Sequence, residues 1–251
     1  MKHNLFLIFM NNNGGVKKLL AILVIAMTVG IVAIVVKNYQ AKNRNLKSEE
    51  KSLSQETVDE AAKEIDKSFL TINSDDFVLG DLNAPITIIE YASLSCPHCA
   101  SFYREAFEKL RSEYIDVNKV KFIYRDFPLN QQALVASMSA ICRAKDEGSD
   151  KVVAYYAIIK ALFKSQETWA FDQKYVEKLQ SILSLDGMSS SRFKSCLDDK
   201  KLQDKILENR IAASNALKIS STPTFYINDE VVEGYVDYES IKKIIDKKLN
   251  Q

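Results

Sequence analysis

ITIIEYASLSCPHCASFY, residues 86–103, changes character part-way along its length. Ile86–Tyr91 is a short, mostly apolar run behind Pro85, the pattern of a buried strand. Pro97 then suits the first position of a helix, where a missing N–H matters least. From there Cys99, Phe102, Tyr103, Ala106, Phe107 and Leu110 recur at helical spacing, giving a face that would cover a sheet. A second apolar run, VKFIY at residues 120–124, completes strand, helix, strand. A unit of that length predicts parallel pairing of the two strands.

Beyond it the pattern turns helical. Spaced apolar residues fill 131–145, 151–164, 172–185 and 190–217, with breaks near Gly148, Trp169 and Gly187. The aromatic stretch VVAYYAIIKALF at 152–163 reads as core. Then FYIN, Asp229 and EVVEG predict a hairpin turning at Asn228–Asp229. A terminal amphipathic helix from about Tyr238 carries Ile241, Ile244, Ile245 and Leu249. The fold class is α/β over residues 77–251, with a helical insertion at about 131–217.

The N-terminal part is of another kind. Lys17 and Lys18 precede Leu19–Val36, 18 uncharged and almost wholly apolar residues. As a helix this run would be about 27 Å long, close to the ~30 Å hydrocarbon core of a bilayer. Residues 1–36 therefore read as a signal peptide or membrane anchor for export, and 37–76 as a polar linker. The lysine and arginine count opposes export, because Lys37, Lys42, Arg44, Lys47 and Lys51 outnumber Lys2, Lys17 and Lys18. The cysteine chemistry decides for export. With 34 basic and 33 acidic side chains the net charge is +1, so nothing favours nucleic acid as a partner. The two histidines, His3 and His98, are too few for most histidine-dependent catalytic or metal sites.

Cys96 and Cys99 bracket the start of the predicted helix, so their surroundings must differ. The thiolate is the nucleophile in disulfide chemistry. Cys96, just before Pro97, would sit near the free N–H groups and positive end of the helix. Cys99, one turn in, would be the more buried. His98 between them would add a donor or partial positive charge, again favouring the Cys96 thiolate. Stabilising that thiolate stabilises the reduced pair, which makes the disulfide easy to give away. The competing readings are half of a zinc site, which needs a second cysteine pair, and an inert structural disulfide. Cys142 and Cys196 are 54 residues apart, in separate predicted helices.

IIEYASLSCPHCASFY together with SSTPTFYIN at 220–228 resembles the DsbA-type thiol:disulfide oxidoreductases of the thioredoxin superfamily. The resemblance covers roughly Phe77 to Gln251 and implies a thioredoxin-like fold carrying an inserted helical domain. It implies that Cys96 is the nucleophile, Cys99 the resolving cysteine and Glu90 a buried proton acceptor. Pro97 and His98 form the family's dipeptide, and Pro223 matches its cis-proline, presenting Thr222 to an incoming peptide. Threonine departs from the valine of many relatives, which leaves the strength of oxidation open. Cys142 and Cys196 would be either a second disulfide, as in some relatives, or two buried thiols. The expected activity is donation of disulfides to unfolded or reduced exported proteins in the bacterial periplasm. No bound cofactor is implied, and a membrane partner of the DsbB kind would reoxidise the pair. The alternatives are a reductase or isomerase of the same fold, and a non-catalytic peptide-binding chaperone module.

Overall fold

The computed structural model describes residues 65–251 and, before them, only Lys37 and Gln40. The apolar run at 19–36 and nearly all of the predicted linker up to residue 64 lie outside the described residues. Among the described residues no helix is long and apolar enough to cross a membrane.

The strand–helix–strand unit forms as its pattern predicts. Strand β2 (Ile86–Ala92) pairs in parallel with β3 (Val120–Asp126), in register from Ile86 opposite Val120 to Ala92 opposite Asp126. Helix α1 (Pro97–Glu105) and the short α2 (Phe107–Leu110) make the crossover. On the other side of β2 lies β4 (Thr224–Ile227), antiparallel, which turns back into β5 (Glu230–Glu233). A two-residue strand, β1 (Val78–Leu79), pairs antiparallel with the outer side of β3. The spatial order is β1-β3-β2-β4-β5, so β2 is central. Asn228 takes the left-handed conformation (φ 53°) that the hairpin turn requires, as expected for Asn-Asp.

The helical insertion contains α3 (Gln131–Lys145), α4 (Lys151–Lys164), α5 (Gln166–Trp169), α6 (Tyr175–Leu185), α7 (Ser190–Leu197) and α8 (Lys200–Leu217). The apolar-spaced stretch at 190–217 is two helices. Asp199 accepts the Leu202 N–H at 3.0 Å and so starts a new helix, a local hydrogen bond that apolar spacing does not reveal. Cys142 of α3 and Cys196 of α7 are joined by a disulfide. The chain closes with α9 (Tyr238–Leu249), as predicted.

Each face of the sheet has its own core. Ile88, Phe122, Phe225 and Ile227 meet Phe102 and Phe107 of the crossover, and beyond them Tyr156, Phe163 and Trp169 of the insertion. Ile89, Tyr91, Ile123 and Tyr226 point the other way, against Ala213 and Leu217 of α8 and the packed Ile65, Phe69 and Leu70. Residues of the stretch expected to be linker, Ile65, Phe69 and Leu70, are thus part of the packing on this face, ahead of Phe77. Without this segment part of the second face would stay wet.

A single arginine secures it. Arg125 of β3 holds Asp76 through Nε (3.0 Å) and Nη2 (2.7 Å), donates from Nη2 to the Thr71 carbonyl (2.7 Å) and also reaches the Phe69 carbonyl and the Tyr91 hydroxyl. The ion pair is nearly buried, with 12% and 5% of the two side chains exposed. Removing one partner of such a pair leaves a desolvated charge. Arg125→Met should destabilise the protein by about 3 kcal/mol in denaturant melts, whereas an exposed pair would give under ~1 kcal/mol.

Candidate active site

Cys96 is the N-cap of α1, with Pro97 at the first helical position and no side-chain capping hydrogen bond. The N–H groups of the first turn are therefore left free to meet the Cys96 sulfur. The loop before it is tight: Cys96 N–H donates to the Ser93 carbonyl at 3.0 Å, and the Cys96 carbonyl accepts the first helical bond from Ala100 at 3.1 Å. Cys96 keeps 6% of its surface exposed and Cys99 none, while Pro97 and His98 stand in solvent. The expected order of exposure is present, yet Cys96 is itself largely covered.

The cover comes from across the sheet. Strand β4 starts with Thr224 opposite Tyr91 of β2, so the turn before it lies at the edge where α1 begins. The Thr222–Pro223 peptide bond is cis, and both residues are buried. The Cys96 thiol donates to the Thr222 carbonyl at 3.3 Å.

Both cysteines are free thiols, and their acidities are driven apart. The Cys96 pKa falls to about 5. The largest cause is the hydrogen bond from the Cys99 thiol, with the Thr222 hydroxyl and the backbone N–H groups of Cys99 and His98 adding to it against the opposing effect of burial. Burial pushes the Cys99 thiol well above its ordinary value, and donation to Cys96 pushes it further. His98 contributes its backbone N–H, while the residue itself is exposed. The Thr222 hydroxyl, otherwise unpartnered, favours the thiolate.

Glu90 lies in the middle of the central strand, opposite Tyr124 and Phe225, with none of its surface exposed. Neither carboxylate oxygen has a hydrogen-bond partner, and burial raises its pKa well above the ordinary range. The Tyr103 hydroxyl, also buried and without a closed hydrogen bond, lies beside it and offsets part of that rise. Burial therefore favours the protonated form of Glu90 over the carboxylate. Ionised, it would push the Cys99 thiol up further, so proton loss at either buried group opposes proton loss at the other.

Sequence reading singled out Cys96, Cys99, Glu90, Pro97, His98, Thr222 and Pro223; the fold gathers the cysteines, Pro97, His98, Thr222 and Pro223 where α1 begins, with Glu90 inside the sheet on the strand that leads there. Cys142 and Cys196 lie apart from them, within the insertion. Two contributors were missed. Tyr103 reads as one more core position of α1. Gln166 of α5, 2% exposed, donates from Nε2 to the Leu94 carbonyl (2.8 Å) and the Cys96 carbonyl (2.9 Å), with no motif around it to announce this. A cavity of about 210 Å³ lies elsewhere, between residues 69–77 and α8, and none of the site residues lines it.

A family model described as Thioredoxin matches residues 72–247. A Rickettsia felis protein described as a candidate protein-disulfide oxidoreductase is 32% identical over 79% of this chain and 68% of its own length. The crystal structure of Wolbachia pipientis alpha-DsbA1 superposes with a TM-score of 0.68 at 35% identity, covering 73% of this chain and 96% of that one. This chain belongs to the DsbA-type thiol:disulfide oxidoreductases. Disulfide bond formation protein D of Bacillus subtilis is a more distant relative, 26% identical over 68% of this chain and 76% of its own length. Against the Rickettsia typhi relative the chain spans 63% of the length. The DsbA-type frame accounts for the helical insertion, since the superposed Wolbachia structure spans the fold almost from end to end.

The unequal acidities have a measurable consequence. Thiolate absorbance near 240 nm should show one transition with a midpoint near pH 5, from Cys96. A folded-state pKa below the unfolded value of ~8.5 stabilises the reduced fold fully above that value. That contribution is lost as pH falls through about 5. Replacing Cys99 by Ala removes the largest cause and should move the midpoint upward; an unmoved midpoint would refute the assignment.

Proposed function

We propose that this DsbA-type enzyme is an exported oxidant that donates the Cys96–Cys99 disulfide to reduced proteins outside the cytoplasm. The observation that carries this reading is the opposed acidity of the two sulfurs at one helix start. A substrate thiolate attacks Cys96 Sγ, and a mixed disulfide forms as the Cys96–Cys99 bond breaks. Cys99 leaves as a thiolate and, with its raised pKa, takes a proton, for which the buried Glu90 carboxyl is the source, left as a carboxylate until reoxidation. A second substrate thiolate then attacks the substrate sulfur of the mixed disulfide. Cys96 departs as a stable thiolate, and a low leaving-group pKa speeds that step. The substrate ends oxidised by two electrons and this chain ends as the dithiol. A membrane partner of the DsbB kind, carrying electrons to quinone, would restore the disulfide, with Glu90 accepting the proton that Cys99 then loses.

Thr222 and Pro223 would line the peptide-binding edge, beside the exposed Pro97 and His98. The Thr222 hydroxyl adds to the stabilisation of the Cys96 thiolate, although threonine at this position is also the residue that favours the reductase or isomerase alternative. Residues 1–36 would be the export signal or membrane anchor and the polar residues after them the tether, placing the thioredoxin-like domain in the bacterial periplasm.

Cys99→Ala should accumulate mixed disulfides with substrate proteins through Cys96, visible as reductant-sensitive adducts after acid trapping. Trapping by Cys96→Ala in its place would reverse the two roles. For export, alkaline phosphatase fused after residue 75 should be active in a bacterial host. A well-expressed but inactive fusion would side with the lysine and arginine count.

A further inference from the structure

We propose that Gln166 is a positioning residue for the reaction: its side-chain amide, coming from the helical insertion, clamps the loop that presents Cys96. The loop Ser93–Cys96 belongs to no strand or helix and joins the end of β2 to the start of α1. On its own side it is held by the Cys96 N–H to Ser93 bond and by the contact of Ser93 Oγ with Ser95 Oγ (3.1 Å). On the far side both hydrogens of one Gln166 amide are spent on it, at 2.8 Å to Leu94 and 2.9 Å to Cys96. The two groups are 72 and 70 residues apart in sequence.

Gln166 has little freedom to do otherwise. It opens the single-turn α5, whose Trp169 is fully buried and donates from its ring nitrogen to the Leu162 carbonyl at 3.0 Å. The amide is therefore delivered from a rigid element. Buried polar groups require partners, and a side chain that satisfies two buried carbonyls fixes both in place. The Cys96 carbonyl is also the acceptor of the first α1 hydrogen bond, from Ala100. Holding that carbonyl holds the N-cap backbone, and with it the direction from Cys96 Cα to its sulfur. The donors that stabilise the thiolate are short-range and directional, so they act fully only while the sulfur stays aligned with the helix start. The insertion thus reaches the redox centre through one amide, and its packing sets how strongly Cys96 favours the reduced state.

This inference rests on reading Cys96 as the attacked sulfur, and the test separates the two. Gln166→Met keeps side-chain length and removes both donors. The full-length variant should raise the midpoint of the Cys96 thiolate absorbance by about one pH unit. It should also shift the exchange equilibrium with glutathione about tenfold towards the disulfide form, about 30 mV. Asp199→Ala, which removes the cap of α8 without touching α5 or the loop, serves as the structural control. It should lower the melting temperature and leave both redox readings within twofold of the parent. A Gln166→Met protein that melts earlier yet keeps the parent midpoint and equilibrium would overturn the proposal. Should that variant fail to fold, Gln166→His retains one ring donor and should move both readings part of the way; no movement would equally overturn it. The absorbance titration needs no substrate, so a shifted midpoint in a protein unable to oxidise substrates would sink the oxidant reading and keep the clamp.

Discussion

Parallel pairing of β2 with β3 is the constraint on which the rest of the molecule depends. Once Ile86–Ala92 runs alongside Val120–Asp126 in the same direction, the connection between them must cross over. The crossover helix then has to begin near the C-terminal edge of the sheet. Cys96 and Cys99 are at that edge because they belong to that helix start, and the free N–H groups there suit a negative sulfur. Antiparallel β4, with Thr224 opposite Tyr91, makes its first residue coincide with the same edge. The Thr222–Pro223 turn is thereby laid over Cys96 without any contact in sequence.

The same geometry divides the two thiols. One sulfur lies at the helix mouth among donors, and the other lies a turn deeper, where nothing compensates an ionised group. Their mutual hydrogen bond amplifies the split, since the proton kept by Cys99 is the largest single cause of the low Cys96 pKa. Glu90 extends this arrangement into the sheet. A buried carboxyl without partners is costly as an anion, and burial pushes its pKa up. An acid of raised pKa coupled to a sulfur that must gain and lose protons is useful where a hydrophobic residue would merely pack better.

A central sheet needs cover on both faces, and the two covers are built differently. The crossover and the helical insertion close one face with a continuous aromatic core. The other is closed by the C-terminal part of α8 and by the segment from Ile65, which is too polar to attract notice. Phe69 and Leu70 supply its apolar contact, and Arg125 carries the binding, because one planar guanidinium can satisfy carbonyls, a hydroxyl and a carboxylate at once. The Asp66 N–H also donates to the Ala216 carbonyl at 2.9 Å, tying the segment to α8.

Where chemistry is local in the chain, the sequence by itself determined it. Residues 86–103 set a strand, a helix start and two cysteines within one turn, and their periodicity and Pro97 suffice to order those elements. The hairpin at Asn228–Asp229 and the helix from Tyr238 were legible for the same reason. Tertiary structure decided what depends on distant partners. Arg125 looks like any strand arginine until residues 69–76 fold onto it, and the 65–76 segment looks like linker until a bare sheet face needs it. The acidity of Cys96 is set partly by Thr222, 126 residues away, and the loop that carries it is held by Gln166. Hydrogen bonds of this kind follow no period and leave no composition bias. They exist only once the sheet order has brought their ends together.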